Sequence, residues 1–400
     1  MTTIFKTTLR PILIFSQFLG LINTSYTLQP TGLLVRDPQL SVYSLLELVR
    51  TCLLLACTYI LYRWQLFTFM EIILLLKFWC VIIAARLSEI WIVKLINGIV
   101  EFDQKTALLS TYLSVQQRSL SKRFLNKIYI LLLVYFIGFE LYHQYIFPLK
   151  TINIHTTIRY FFGAPFIIDF AVLITSCFFL LNLNIRFQTL IDFLKFLPVE
   201  SDYPNEWTNS ELAMSMENIR LLHSELSELL RIFSLGYGPL LLSFFVFNFI
   251  NLVFQLFLSI CLRPPPAAPA DVSSLKKVLQ NVFPLILNIQ IVILTMSIIV
   301  AVSLVHDKKR KIISYLRLYR ISNLHADIKR QVKMFMLQLS FFELDEINTY
   351  GFFNINLNIV MSIIVLIITG IITLIQMKNH KIILNMINST LTVSAGMFEM

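Results

Sequence analysis

Charged residues are scarce in this sequence. Asp, Glu, Lys and Arg together make up 14% of its 400 residues, whereas hydrophobic residues make up 57%. A soluble globular domain carries about 25% charged residues, because its surface has to be solvated by water. The shortage excludes a soluble particle of this size. It predicts an integral membrane protein, whose lipid-facing surface needs no charge.

The motifs of enzyme active sites and metal centres are missing as well. The sequence has no G-x-S-x-G, no phosphate-binding P-loop, no H-E-x-x-H and no glycine-rich dinucleotide turn. Its six histidines show no metal-ligand spacing, and its five cysteines form no C-x-x-C pair. We therefore predict no enzymatic activity, no cofactor, no metal site and no disulfide framework.

The few charges that are present are predominantly basic, with a formal net charge of +10. An excess of Lys and Arg is typical of nucleic-acid-binding proteins. It is equally typical of the cytoplasmic loops of membrane proteins. In so apolar a chain the second interpretation is favoured, and we expect no nucleic-acid partner.

Seven apolar stretches are long enough to cross a bilayer as helices, which needs about 20 mostly apolar residues each. These stretches are residues 41–62, 71–93, 127–147, 163–183, 235–262, 278–305 and 352–377. A proline run at 264–266 cannot be helical and separates the fifth stretch from the sixth. The first stretch is the weakest, because it contains Glu47 and Arg50. Their i,i+3 spacing allows them to pair on one helix face. The predicted fold is an all-α membrane protein with seven transmembrane helices between residues 41 and 377.

The distribution of Lys and Arg predicts how these helices are oriented. Most of them fall in segments that are cytoplasmic if the N-terminus is cytoplasmic. Residues 1–40 then form a cytoplasmic or interfacial segment, and residues 378–400 form an extracellular tail with a glycosylation sequon at Asn388. This orientation is opposite to that of a G-protein-coupled receptor.

The predicted cytoplasmic segments 184–234 and 306–350 are long. Apolar residues recur at helical spacing through the first of them, at Leu212, Ile219, Leu222, Leu226 and Leu230. We expect this segment to extend the fifth transmembrane helix and to pack on its neighbours. Together the two segments predict a cytoplasmic helical anchor region in which subunits meet.

Ionisable residues inside the predicted spans are functional candidates, because a charge in lipid is costly. Arg86 and Glu89 are three residues apart and are expected to pair along one helix. Lys77 is expected to extend its side chain to the membrane interface. Glu140 and Asp169 lie in the outer halves of adjacent spans. They predict either an outward-facing polar ligand pocket or structural pairing within the helix bundle.

Several aromatic and amide residues share that outer level. A ligand pocket is mostly apolar with a few placed polar groups, but an interfacial aromatic belt produces much of the same set. The candidate ligand-binding residues are Trp79, Glu140, Tyr142, His143, Tyr160, Asp169, Gln255 and Asn288.

The last span carries a recognisable pattern. It opens with Gly351-Phe352-Phe353 and ends with the segment 369–377, T-G-I-I-T-L-I-Q-M. This pattern resembles the signature of insect gustatory receptors. Their final helix opens with Gly-Phe-Phe and ends in Thr-Tyr, five apolar residues and Gln-Phe. Thr369 and Gln376 keep their places, whereas Gly370 replaces the Tyr and Met377 replaces the Phe.

The resemblance implies a ligand-gated, non-selective cation channel in the plasma membrane of gustatory sensory neurons. Members of this family form tetramers, and the partners implied are a small-molecule tastant, membrane lipid and other gustatory receptors in a homo- or heterotetramer. By resemblance, the seventh helix is expected to line the pore, with Thr373 and Met377 facing it at the gate and Gln376 beside them. A ring of four Met side chains is able to close a pore by dewetting. Sweet-sensing members carry a Glu where this sequence has Ile371, so a bitter or other non-sugar tastant is expected.

Two other functions are compatible with the sequence. The altered end of the motif is consistent with a non-conducting accessory subunit that works only beside other family members. A membrane transporter or a scramblase-like protein is the second alternative. A transporter usually has paired helices broken by Gly or Pro around a polar midplane site, and no such pair is evident.

Overall fold

The structure, a computed structural model, describes residues 2–23, 26–36, 40–63, 69–113, 122–146, 167–197, 208–261, 274–318, 324–342, 347–349, 351–380 and 383–384. Within these residues nine helices and one small hairpin follow one another. The helices are α1 (Thr2–Leu19), α2 (Leu40–Arg63), α3 (Phe69–Tyr112), α4 (Lys122–Ile146), α5 (Ile167–Phe196), α6 (Asn209–Cys261), α7 (Ser274–Leu318), α8 (Ala326–Phe342) and α9 (Asn358–Gln376). The hairpin pairs β1 (Tyr26–Leu28) antiparallel with β2 (Leu34–Arg36).

The predicted helical architecture is confirmed, and each of the seven predicted spans falls largely on a helix. Among the described helices, four are long and apolar enough to cross a membrane: α5, α6, α7 and α9. The proline run that was predicted to separate two spans lies outside the described residues, between the end of α6 and the start of α7.

Three helices are much longer than a bilayer requires. The lengths of α3, α6 and α7 are 44, 53 and 45 residues. At 1.5 Å per residue, α6 measures about 80 Å, against a hydrocarbon core of about 30 Å. The predicted extension of the fifth span is therefore confirmed, because one continuous helix runs from Asn209 to Cys261.

The sequence encodes the start of α6 locally. The Thr208 backbone N–H donates to Glu211 Oε2 at 2.8 Å, and the Glu211 N–H donates to Thr208 Oγ1 at 3.2 Å. These reciprocal bonds form a capping box, which satisfies two backbone donors at the helix N-terminus. The hydrogen bonds from Thr208 lower the pKa of the Glu211 carboxyl. The exposed N-terminus of α6 is therefore stabilised by its own residues and not by packing against other helices.

The core lies where α6 passes α3 and α5. Leu95 and Ile99 of α3, Leu183 of α5, and Leu226 and Leu241 of α6 are fully buried in one apolar cluster. Tyr237 of α6 stacks on Phe233 with ring centroids 5.0 Å apart and contacts Phe179 of α5 at 5.5 Å. Helix α7 packs along α5, and α8 packs along α6. Helix α5 is buried along most of its length, with buried residues on all its sides, and α6 contacts α3, α5, α7, α8 and α9.

The N-terminal helix docks on this core. Phe5, Leu9 and Ile12 are buried, and the ring of Phe5 stacks on Phe178 of α5 at 5.8 Å. The β-hairpin is attached to α3 through Asn97. Its amide accepts a hydrogen bond from the Leu34 N–H at 2.7 Å and donates one to the Leu34 carbonyl at 3.1 Å.

The end of α1 requires glycine. The N–H groups of Gly20 and Leu21 donate to the carbonyls of Gln17 and Ser16, at 3.1 and 2.8 Å, which is the Schellman arrangement of a helix C-terminus. Gly20 has a φ of 87°, a conformation that other residues adopt only with strain. A Cβ atom there would lie 3.0 Å from Arg50 Nη2. The Arg50 Nη1 in turn donates to the Gln17 carbonyl at 2.8 Å, so α2 caps α1.

The two predicted i,i+3 ion pairs are confirmed. Arg50 Nη2 lies 2.5 Å from Glu47 Oε2, and Arg86 Nη1 lies 3.8 Å from Glu89 Oε2. Arg86 also contacts Glu47 at 2.8 Å, so the carboxylate of Glu47 joins α2 to α3. Shared charges of this kind explain why α2 tolerates ionised residues in an apolar sequence.

Another ion pair, unlike those above, is deeply buried where the long helices leave the apolar region. Arg186 of α5 donates from Nε and Nη2 to the two carboxylate oxygens of Asp103 on α3, at 2.9 and 2.7 Å. Its Nη1 donates to the Asn182 carbonyl at 2.8 Å. The guanidinium also lies 5.4 Å from the ring centroid of Phe5 on α1. Arg186 therefore joins three helices through one side chain.

His223 is fully buried in the segment that extends α6 beyond the apolar region. Its ring lies 5.4 Å from Phe335 of α8 and 6.2 Å from Phe187 of α5, measured between centroids. Burial, followed by the positive charge of Lys309 on α7, lowers its pKa from 6.5 to about 3. The imidazole is therefore neutral at physiological pH.

This pKa predicts an acid sensitivity of folding. Between pH 6.5 and 3 the unfolded chain holds the His223 proton and the folded chain does not, so stability falls as the pH falls. The loss is about 1.4 kcal/mol for each pH unit below 6.5. His223→Phe, whose ring suits the aromatic neighbours, should flatten this dependence. Thermal unfolding of the purified wild type and variant at pH 7.5 and 5.0 measures this pH dependence. An equal loss of stability between the two pH values in both proteins would show that His223 is not its source.

Candidate functional site

A buried polar cluster lies within the apolar helices. Lys77 of α3 donates from Nζ to Asp169 Oδ2 of α5 at 2.5 Å and to Asn248 Oδ1 of α6 at 2.6 Å. The side-chain exposures of Lys77 and Asp169 are 3% and 1%. The ammonium also lies 5.9 Å from the ring centroid of Phe244. One cation thus holds three helices together where solvent does not reach.

The hydrogen-bonding capacity of this cluster is only partly used. Asp169 Oδ1 and Asn248 Nδ2 are buried without a protein partner. Each belongs to a group whose other polar atom contacts Lys77, so an acceptor and a donor lie close to the same ammonium. Buried polar atoms of this kind are usually satisfied by water or a ligand. The cluster is therefore suited to hold a small neutral group that both donates and accepts hydrogen bonds.

The polar character continues along α6. Asn248, Asn251 and Gln255 are spaced i, i+3 and i+7, which places them on one face of the helix. Gln255 Nε2 donates to Asn251 Oδ1 at 2.9 Å, and its Oε1 has no protein partner. On α7, Asn288 and Gln290 are also buried and have unpartnered amide atoms. Buried amide atoms without a protein partner therefore recur on both α6 and α7.

The described candidates for ligand binding lie at different helix contacts. The indole of Trp79 donates from Nε1 to Thr58 Oγ1 at 3.3 Å, between α3 and α2. The hydroxyl of Tyr142 donates to the Leu279 carbonyl at 2.9 Å, between α4 and α7. Asp169 belongs to the Lys77 cluster. Gln255 and Asn288 carry the amide oxygens without a hydrogen-bond partner described above. These contacts place the candidates around the bundle rather than in one cluster.

Three further candidates fall outside what the structure describes. Glu140 and His143 lie on α4, but their side chains are not among the described ones, and Tyr160 lies outside the described residues. The choice between a ligand pocket and structural pairing thus stays open for Glu140. For Asp169 the observed contact is a structural pair with a spare acceptor oxygen.

Two members of the cluster differ from the sequence prediction. The prediction that Lys77 extends to the interface is wrong, because its ammonium is buried on Asp169. A carboxylate oxygen and an amide oxygen lie within 2.6 Å of the Lys77 Nζ. They replace the hydrogen bonds to water that the ammonium would make at the interface. Asn248 was not indicated at all. The spacing N-x-x-N-x-x-x-Q from 248 to 255 was the available signal, because it places three amides on one helix face.

The last helix is the other candidate site. No residue of α9 is buried, although its sequence is almost wholly apolar. The hydroxyls of Thr369 and Thr373 donate to the Val365 and Thr369 carbonyls, each at 2.9 Å. Gln376 and Met377 are exposed at the end of the helix. The single chain thus leaves most of an apolar helix without a protein neighbour.

Helix α9 begins later than the predicted span. The Gly-Phe-Phe segment is not helical: Gly351 has a φ of 83°, and Asn348 pairs with Asn354 in an antiparallel bridge. Asn356 Oδ1 then accepts a hydrogen bond from the Ile359 N–H at 3.2 Å, at the start of the helix. A tight turn with polar side chains therefore precedes the apolar helix.

Helix α9 contacts the rest of the chain chiefly through α6. Phe353, just before the helix, meets Phe245 edge to face at 5.8 Å. Further along, a Cβ atom on Gly370 would lie 3.1 Å from Val253 Cγ1. Gly370 stands where the gustatory receptor signature has Tyr. The close approach of these two helices therefore depends on the departure from the motif.

This contact predicts a steric coupling between positions 370 and 253. Gly370→Val should lower the free energy of unfolding by about 1–3 kcal/mol, because added carbons meet Val253. Val253→Ala in the same chain should recover most of the loss. Thermal unfolding of both single variants and the double variant measures the coupling. Gly138→Ala is a matched control, since a Cβ there has no neighbour within 4 Å. Additive effects at 370 and 253 would refute the contact.

No group of His, Cys, Asp or Glu within the described residues is arranged to hold a metal ion. The described polar groups of the site are instead amides and one buried ion pair among apolar helices.

The sequence model of the 7tm chemosensory receptor family matches residues 9–379. The chain belongs to that family. The predicted relationship is thereby confirmed at the level of the chemosensory receptor family, and so is the prediction that the chain is not an enzyme. As a chemosensory receptor with long apolar helices, it is a membrane protein.

The fold of this chemosensory receptor is similar to solved structures of the insect olfactory receptor OR5 from Machilis hrabei. The TM-score is 0.53 for one structure and 0.59 for the structure in complex with eugenol. Both alignments have 12% identity and cover 92% of this chain and 97% of the other chain. At that identity the likeness shows a shared fold. No curated protein matches the chain by sequence.

Proposed function

We propose that this chemosensory receptor is a gustatory receptor that acts as a ligand-gated, non-selective cation channel. The observation that carries the proposal is α9, an apolar helix of 19 residues with no buried residue in the single chain. At 1.5 Å per residue it measures about 28 Å, close to the hydrocarbon thickness of about 30 Å. Four copies of such a helix around one axis form a pore, and the assembly is a homo- or heterotetramer with other gustatory receptors.

The proposed topology has seven spans within residues 41–377, with a cytoplasmic N-terminal segment 1–40 and an extracellular tail 378–400. The helices α2, α3, α4, α5, α6, α7 and α9 each carry one span. Helix lengths support this topology, because α3, α6 and α7 extend far beyond a bilayer at the ends assigned to the cytoplasm. These extensions and α8 form the proposed anchor region. The receptor resides in the plasma membrane of gustatory sensory neurons.

The proposed gate lies at the end of α9. Thr373 and Met377 are four residues apart and therefore share one helix face, with Gln376 beside them. The Thr373 hydroxyl is occupied by the Thr369 carbonyl, so it presents its methyl group and little polarity to the pore. That geometry lets the ring of Met377 side chains close the pore by dewetting.

The proposed ligand is a bitter or other non-sugar tastant that binds from the outside. The described polar atoms available to it are the unpartnered amide atoms of Gln255 and Asn288 and the spare oxygen of Asp169. Trp79 and Tyr142 also belong to the proposed set. Glu140, His143 and Tyr160 complete the proposed set. Lys77 neutralises Asp169, so the described polar anchors favour neutral ligands over charged ones.

Expression in cells with patch-clamp recording tests the proposal. A panel of non-sugar tastants should evoke cation current, and Met377→Ala should raise the current in the absence of ligand. Met361→Ala is a matched control, because Met361 is an exposed methionine near the other end of α9. Normal surface expression with no current for any tastant, alone or with co-receptors, would overturn the proposal. Substrate flux without current would favour a transporter instead.

An accessory, non-conducting subunit is the second candidate. It is favoured by the changes at Gly370 and Met377, which lie on the helix that would line the pore. Current that appears only when a second family member is co-expressed would support it. In that case the Met377→Ala effect should be seen in the mixed channel alone.

A further inference from the structure

One face of α7 looks away from the protein along most of the helix. Its described exposed residues recur at helical spacing and are all apolar between 282 and 304: Val282, Leu285, Ile289, Val292, Ile293, Val300 and Leu304. The opposite face is buried, with Ile291, Leu294, Ile298 and Val302 among its members. The apolar face covers about 33 Å at 1.5 Å per residue. That length matches a hydrocarbon core of about 30 Å, so this face contacts lipid.

The same face changes from apolar to charged within one helix turn. After Leu304, its exposed residues are Asp307, Arg310, Lys311, Ser314 and Arg317, spaced so that they continue the line of the apolar residues. Arg310 and Lys311 lie about 10 Å beyond Leu304 along the helix. Long basic side chains at that depth reach the headgroup layer of the membrane.

The neighbouring basic residues point elsewhere. Lys308 donates to Gln188 Oε1 of α5 at 2.6 Å, and Lys309 is buried. Lys195 of α5 lies 5.1 Å from the ring centroid of Tyr315 on α7. These contacts fasten this part of α7 to α5 and fix its rotation. Arg310 and Lys311 are thereby held on the lipid-facing line, with Asp307 as the acidic residue beside them.

We infer that Arg310 and Lys311 form a docking site for anionic phospholipid headgroups of the inner leaflet. Arg binds phosphate through paired N–H donors and Lys adds a point charge. Basic residues directly beyond a transmembrane helix are attracted to anionic lipids. The inference rests on the proposed orientation, in which this end of α7 is cytoplasmic. Since α7 is fastened to α5 at this point, a bound lipid stabilises the contact between the two helices.

Binding of a labelled phosphatidylinositol bisphosphate to the purified full-length receptor tests the site. The lipid is presented in neutral phosphatidylcholine micelles, and fluorescence anisotropy gives the affinity. Arg310→Gln/Lys311→Gln should weaken binding by about tenfold. The matched control is Arg330→Gln/Lys333→Gln, which removes one exposed Arg and one exposed Lys from α8 and should leave the affinity unchanged. Arg310→Lys/Lys311→Arg keeps both charges and should retain most of the affinity for the lipid.

Two outcomes would overturn the inference. One is an equal loss of affinity in both glutamine variants, which would mean that net charge alone attracts the lipid. The other is no loss in the α7 variant. The assay needs no ion current, so a failure of the channel proposal leaves its result readable. The orientation is tested separately by labelling the Ser314→Cys variant with a thiol reagent from either side of sealed cells. External labelling would reject the inner-leaflet assignment.

Discussion

Lys77→Met is expected to lower the free energy of unfolding by about 3–5 kcal/mol. The change removes the ammonium and leaves the Asp169 carboxylate buried among apolar helices with no opposite charge. Asn248 loses its donor at the same time. The expected readout is a large fall in the thermal unfolding temperature of the purified receptor, with reduced surface expression in cells.

Two comparisons make this prediction specific. Lys77→Met/Asp169→Leu removes both charges and should recover most of the stability, because a well-packed apolar pair often equals a buried ion pair. Lys105→Met removes one member of the exposed pair with Glu225, whose side chains are 56% and 39% exposed. It should cost no more than about 1 kcal/mol. A Lys77→Met protein as stable as the Lys105→Met protein would show that the buried pair is not formed.

Arg186→Gln is expected to have a comparable effect, about 3–5 kcal/mol, for a related reason. Gln cannot reproduce the two parallel N–H bonds to Asp103, which is then left buried and charged. The substitution also removes the cation that faces the Phe5 ring, so the packing of α1 against the bundle should loosen. Hydrogen exchange in α1 should rise in this variant, and thermal unfolding should shift downward.

The exposed pair of Arg231 with Glu228 supplies the control. Both members are about half exposed and lie three residues apart on α6, so Arg231→Gln should cost at most about 1 kcal/mol. Exchange in α1 should not change in this control. If Arg186→Gln destabilises the protein but α1 exchange stays at the wild-type rate, the link between α1 and the ion pair is refuted.

Local features of the sequence predicted much of the fold. The i,i+3 pairs at Glu47 and Arg86 and the apolar periodicity of α6 all act within one or two helix turns. Interactions of that range are encoded by neighbouring residues and are readable without tertiary structure.

The polar cluster could not be predicted in the same way. Lys77 meets Asp169 and Asn248 across 92 and 171 positions of sequence, and no periodic pattern specifies which helices pack together. A buried lysine and an interfacial lysine look identical in sequence, because the choice depends on whether a carboxylate is opposite. The predicted start of α9 was wrong for a related reason. Gly351 and the bridge between Asn348 and Asn354 keep the first residues of the predicted span out of the helix, although hydropathy alone would include them.

The length of α6 has a mechanical consequence. A rod of about 80 Å that tilts by one degree about one end moves its other end by roughly 1.4 Å, about the length of a carbon–carbon bond. Pro239 lies inside this rod and removes one backbone donor, which is where a helix bends most readily. The part before Pro239 holds His223 against α8, and the part after it holds Val253 against Gly370. A one-degree bend at Pro239 would therefore move the end of the following part, about 33 Å long, by roughly 0.6 Å relative to the part before it.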